Sequence, residues 1–200
     1  MARKTKERPA AKIARFVEER AAATDDAVLA ELAAFEPLPP EADAAWQADA
    51  TWDRALRLVA LADVVAARRL KSGVESILAA TSFGDSGETM RGLRHAFEAT
   101  YAPDCSELAT VCERASRSDR PVARLWATAQ LGILRERSSF ACLVERLGDD
   151  ERAIREEAGR SLQMLCRAHA DLIAEACAAL RAAVDADPAD GLAEELAALT

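Results

Sequence analysis

The chain has 200 residues, half of them apolar, 30% charged and only 4% aromatic. Such a composition can bury a core without staples and is not that of a disordered chain. Its net charge of −8, unevenly distributed, argues against a broad nucleic-acid surface, which needs a cationic stripe to displace phosphate counterions. Five cysteines, Cys105, Cys112, Cys142, Cys166 and Cys177, are odd in number and lack Cys-x-x-Cys spacing. They argue against a disulfide framework or a Cys-rich zinc site and read as buried thiols in a reducing compartment. No stretch holds the roughly 20 apolar residues that span a bilayer, and Met1 to Arg20 lacks the apolar run of a secretory signal. A cytoplasmic location is expected. Ala, Leu, Arg and Glu keep their side-chain freedom in helices, and bounded β-branched runs are missing, so the fold is expected to be all-α.

Residues 1–9 read as a flexible basic arm. Residues 1–20 carry seven basic and three acidic side chains, whereas 21–53 carry eight acidic and no basic ones. A first helix from about Ala10 to Ala22 places Ile13, Phe16 and Val17 on one side. Thr24 or Asp25 can cap the next, which carries Val28, Leu29, Leu32 and Phe35. Glu36-Pro37-Leu38-Pro39-Pro40 is a break, since proline removes amide donors and restricts the residue before it. Pro40 then suits the first turn of a helix carrying Trp46.

From about Thr51 the pattern is regular: Leu56, Val59, Ala60 and Val64, then Val74, Ile77 and Leu78. After the linker Ser82 to Gly87, Asp85 and Glu88 have the spacing of a capping box. The helix they open carries Met90, Leu93 and Phe97. Asp104 and Glu107 repeat that spacing before a helix with Leu108, Val111, Cys112 and Ala115. Ser118-Asp119-Arg120-Pro121 starts another helix, Arg137-Ser138-Ser139 is a turn, and Gly148-Asp149-Asp150 ends one helix and caps the next. His169-Ala170-Asp171 separates two more, and Asp187-Pro188 caps the last. About ten helices result. The chain is expected to comprise the arm, an N-terminal cap segment over 10–53 and a repeat domain over 54–200.

The repeat is direct. Arg124, Ala127, Leu131 and Leu134 recur as Arg155, Ala158, Leu162 and Leu165, at an offset of 31. Glu113-Arg114 recurs as Glu145-Arg146 at an offset of 32, each pair flanked by apolar residues. One unit reads Asp119, Ala123-Arg124, Ala127, Leu131-Gly132-Ile133-Leu134, then Phe140, Leu143 and Leu147. The next reads Asp150, Ile154-Arg155, Ala158, Leu162-Gln163-Met164-Leu165, then Leu172, Ile173 and Leu180, with Gln163 in the glycine position. Met90-Arg91, Leu93 and Phe97 form a weaker copy.

Residues 119–185 thereby resemble the short bacterial HEAT-like repeats of the phycobilisome-lyase type. The resemblance implies a right-handed α-solenoid of stacked antiparallel helix pairs, in which each pair covers the apolar face its neighbour leaves open. It also implies that the aspartate at each helix start and the arginine one turn in are polar links between repeats. The function implied is a non-catalytic protein-interaction module or scaffold. Bilin-lyase-like or DNA-glycosylase-like enzymes of related architecture, or a structural subunit of a larger assembly, are the alternatives.

No residue cluster compels chemistry. His95 and His169 lie in different units without a ligand-spaced partner, and no Gly-x-Ser-x-Gly, His-Glu-x-x-His, Walker or Rossmann motif occurs. Neither a cofactor nor a metal is expected. The pairs Asp25-Asp26, Asp149-Asp150 and Glu156-Glu157 sit at or near helix starts, where negative charge suits the dipole. The partner is expected to be another protein, with nucleic acid limited to weak contact by the basic arm. Glu113, Arg114, Glu145 and Arg146 form a candidate binding ladder on second helices. Trp126 is either an interface anchor or packing between repeats. Trp46 and Trp52 either meet a basic partner or seal the N-terminal end of the stack.

Overall fold

The structure, a computed structural model, describes residues 8–39, 44–81, 87–188 and 191–199. Every α or β element among them is an α-helix. These are α1 (Pro9–Glu18), α2 (Asp25–Ala33), α3 (Asp49–Arg68), α4 (Gly73–Ala80), α5 (Gly87–Tyr101), α6 (Ser106–Ala115), α7 (Pro121–Leu134), α8 (Phe140–Arg146), α9 (Arg152–Ala168), α10 (Ile173–Ala186) and α11 (Leu192–Ala197). None is long and apolar enough to cross a membrane.

Local chemistry accounts for many of the helix boundaries. Pro9 and Pro121 stand in first turns, where a missing amide donor costs little. Thr24 caps α2, its Oγ1 accepting the Ala27 amide at 3.2 Å. Trp46 lies in a 3-10 turn, Ala44–Gln47, ahead of α3, and the helix start expected at Pro40 falls outside the described residues. There Trp46 donates its indole N–H to the Pro39 carbonyl (3.2 Å) and meets Trp52 edge-on, ring centres 5.0 Å apart. Asp104 accepts the Ser106 amide at 3.0 Å, a turn contact at the entry to α6. The last helix is entered through Gly191 at φ 76°, a left-handed conformation that glycine adopts without strain, rather than through an Asp187 cap. Residues 1–7, Pro40 and Asp85, with the capping expected at Asp85 and Glu88, fall outside the described residues and side chains.

The chain divides into two compact units, Met1–Pro103 and Asp104–Thr200. The boundary expected at 53/54 lies inside the continuous helix α3. In the first unit α3 is central, with α1, α4 and α5 against it. Its Leu58, Leu61 and Val65 are fully buried, each contributing roughly 1.5–3 kcal/mol of transfer free energy. At its last turn Arg68 donates to the carbonyls of Arg20, Ala21 and Ala23 (2.9, 3.2 and 2.7 Å) and to Asp25 (3.0 Å), satisfying backbone left over after α1. Arg20 makes a two-pronged pair with Glu31 (2.9 and 2.7 Å), which also receives Arg57 (2.8 and 2.6 Å). Leu38, in the proline-rich break, is buried and donates its amide to Ala80 at 2.9 Å.

In the second unit α7 and α9 form the main packing pair. α6 lies on α7, α8 lies on α9, and α10 and α11 pack on each other and on α9. Leu131, Leu143, Ile154, Leu162, Leu165 and Leu180 fill the core. Gly132 sets the closest approach. A Cβ there would stand 2.4 Å from Ser161 Oγ and 2.7 Å from Ser161 Cα, so only glycine lets the two backbones meet. Ser161 uses that proximity to donate to the Thr128 carbonyl at 3.0 Å.

Candidate protein-interaction surface

The repeated arginines of the second unit organise its polar side. Arg124 Nη1 donates to the carbonyls of Ser118 (3.1 Å) and Asp119 (3.5 Å), the turn that leads into its own helix. Arg155 Nη1 does the same to Asp149 (2.7 Å) and Asp150 (3.1 Å). The same guanidinium bridge thus recurs at an offset of 31 residues. The remaining nitrogens of Arg124 reach forward: Nε and Nη2 hold Asp149 at 3.0 and 2.9 Å, and Nη2 also holds Asp150 at 2.6 Å. The corresponding forward contact of Arg155, to Asp187, is longer at 3.9 Å.

Asp149 is the centre of this network. Its side chain is 2% exposed, against 84% for Asp150. Besides Arg124 it accepts from Arg146 Nη1 (3.2 Å) and from the Glu151 amide (3.0 Å). Burial pushes its carboxyl up. The bonds from Arg124 and the Glu151 amide outweigh that and hold it below the usual aspartate range. The remaining acidic pairs are also accounted for. Asp25 and Asp26 occupy the first turn of α2, Glu156 pairs with Arg152 at 2.8 Å, and Glu157 pairs with Arg160 at 2.8 Å.

The ladder residues fall into two groups. Arg114 and Glu145 are exposed and Glu113 is half-buried. Glu113 accepts from Ser139 Oγ (3.1 Å), and Glu145 accepts from Arg117 Nη2 (2.7 Å), so α6 is tied to α8 and its entry turn. The Arg117 bond, with burial opposing it, holds the Glu145 carboxyl low. Arg146 occupies a different environment from its sequence counterpart Arg114. Only 12% of its side chain is exposed, and it donates to the Ser116 carbonyl (2.9 Å) as well as to Asp149. Trp126 is 2% exposed, so its ring belongs to the core and offers no surface to a partner.

Sequence reasoning missed two features. Arg117, which makes the α6–α8 tie, has no repeat partner that would single it out. The other is a groove of about 500 Å³ between α8 and α10, lined chiefly by Val144, Leu147, Ala179, Ala182, Ala183 and Ala186. The available signal was the alanine spacing of α10, which continues the helical period on a face where leucine is missing. Asp149, Arg155 and Asp187 stand at the same end of this groove as the C-termini of both helices.

Among the described residues no group of three His, Cys, Asp or Glu side chains is placed to hold a metal ion. Burial pushes the Cys112, Cys142 and Cys166 thiols up, away from the thiolate form that reacts. His169 Nε2 lies 2.9 Å from the Arg135 carbonyl, a contact that ties the end of α9 to the end of α7. Comparison with family models, with curated proteins and with solved structures finds no match to this chain.

Proposed function

We propose that the chain is a protein-interaction module whose second unit is a short right-handed stack of HEAT-like helix pairs, with α7 and α9 as successive first helices and α6, α8 and α10 as second helices. One observation carries this reading: the bridge from Arg124 to Ser118 and Asp119 is repeated by Arg155 to Asp149 and Asp150. A side-chain link that recurs with the sequence period is what stacked units need, because each unit leaves an apolar face for the next. The side carrying α6, α8 and α10 is the binding side in this reading. Arg114, Glu113 and Glu145 supply charged contacts, while Arg146 and Trp126 support the surface from below.

The test is capture by the immobilised full chain from an extract of the native cell, with crosslinking, alongside the exposed-site variant Arg114→Glu. A defined protein retained by the wild type and lost by the variant, at equal melting temperature, supports the module and this side of it. Retention of nothing above a blank support, at low and at physiological salt, overturns it.

A further inference from the structure

Gln163, which stands in the glycine position of its repeat unit, hooks the last helix. Its side-chain amide donates to the Glu195 carboxylate and to the Glu195 carbonyl (3.1 Å), one of the carbonyls that the end of α11 leaves without a helical partner. One turn earlier Gly159 provides the seat: a Cβ there would stand 3.0 Å from Leu192 and 3.1 Å from Glu195. Gly159 and Gln163 share one face of α9, while Ser161 between them looks the opposite way, at Gly132 of α7. So α11 lies on α9 much as α9 lies on α7, but as a helix of six residues with one buried side chain, Leu192. We infer that α11 is a pH-sensitive clasp on the face of α9 turned away from α7, closed in acid and loosened toward neutral pH.

Electrostatics supplies the switch. The donor that holds the Glu195 carboxylate is uncharged, and the nearby cations are engaged elsewhere: Arg160 with Glu157 and Arg152 with Glu156, both at 2.8 Å. Burial is the largest influence on Glu195 and pushes its carboxyl up. Arg160 opposes the rise, and Glu194, Glu157 and Glu156 add to it. The other helix against α11, α10, adds none of its charged residues (Glu175, Arg181, Asp185) to this set.

A carboxyl raised in the docked state holds its proton more tightly there than in the undocked one. Docking is thus strongest below the ordinary glutamate value of 4.5 and weakens as pH climbs through the raised one. Asp149 works in the opposite sense and at lower pH, so the core of the unit stays intact while the clasp loosens. Opening uncovers the Gly159 and Gln163 face of α9. The clasp goes beyond the interaction role and does not rest on it.

Amide exchange of the full chain between about pH 4.5 and 7.5 tests it, expressed as protection against the free-chain rate at each pH. Protection of the α11 amides should fall about threefold or more across that range while α7 and α9 hold theirs. The Leu192 methyl signals should move toward their free-chain positions in step. Glu195→Gln keeps an acceptor for Gln163 and removes the charge, so its α11 should stay protected at every pH. Leu192→Ala should leave α11 open throughout and gives the signature of an undocked clasp. Thermal melts verify that both variants fold. Protection that is constant or rises with pH, an equal fall in Glu195→Gln, a fall shared by α9, or a wild-type α11 as open in acid as that of Leu192→Ala overturns the clasp.

Discussion

Arg124 and Asp149 form a two-pronged ion pair, 3.0 and 2.9 Å, that joins the start of α7 to the turn leading into α9. Both side chains are nearly out of solvent, at 10% and 2% exposure, so the pair must be judged as a buried one. Without Asp149, Arg124 keeps Asp150 and Arg146 keeps Glu145, but Arg124 Nε loses its acceptor inside the fold. Asp149→Ala should therefore destabilise the second unit by about 1–3 kcal/mol. Asp150→Ala, at the exposed neighbouring carboxylate, should change stability by under about 1 kcal/mol. Urea denaturation of the two variants gives the comparison, and similar losses would contradict the placement of Asp149.

Acid should act through the same residue. The folded Asp149 carboxyl is held below its ordinary value of 3.8, so the unfolded chain takes up this proton first as pH falls. The pair's contribution is complete above that ordinary value and disappears as pH drops through the lowered one. The urea midpoint of the wild type should fall steeply below about pH 4, and Asp149→Asn should show a lower midpoint at neutral pH with a shallower acid slope. Parallel slopes would show that other carboxylates dominate.

Gly132 gives a test with an unusual sign. Glycine to alanine in a helix interior normally gains about 0.5–1 kcal/mol. Here the new Cβ would collide with Ser161, including its Cα at 2.7 Å, and backbone cannot step aside as a side-chain end can. Gly132→Ala should cost about 1–3 kcal/mol, as overpacked cores do. At Gly148, by contrast, the nearest atom to a new Cβ is 3.7 Å away, and alanine should fit without a clash. Thermal midpoints of the two variants should separate clearly. Ser161→Gly in the Gly132→Ala background should recover part of the loss.

The tryptophans should report their surroundings. Trp126 is buried, whereas Trp46 and Trp52 are half-buried and touch each other. With Trp46 and Trp52 replaced by Phe, the remaining emission should be blue-shifted and resist acrylamide. In Trp126→Phe it should be red-shifted and quenched readily. The opposite ranking would place Trp126 at the surface.

The helical character of this chain is legible in its composition and punctuation, because proline, threonine and alanine act over one or two turns. The role of Arg124 is partly legible, since its copy at Arg155 marks it as structural. Depth is not. Asp149 and Asp150 are adjacent and chemically identical, and only the approach of Arg124 and Arg146 buries one of them. Arg114 and Arg146 sit in the same dipeptide, yet one is exposed and the other braces Ser116 and Asp149. Trp126 has the composition of a hot spot and the position of a core residue. Such differences arise from packing between segments about thirty residues apart, which no local pattern encodes.

Arg124 grips the turn behind it and the carboxylate ahead. Toward the tail the helices lean less on the core: α10 buries Ala176 and Leu180 and α11 buries Leu192, against eight buried residues in α7. Deuterium should enter the amides of α10 and α11 well before those of α7, so that a warming molecule comes undone from its tail.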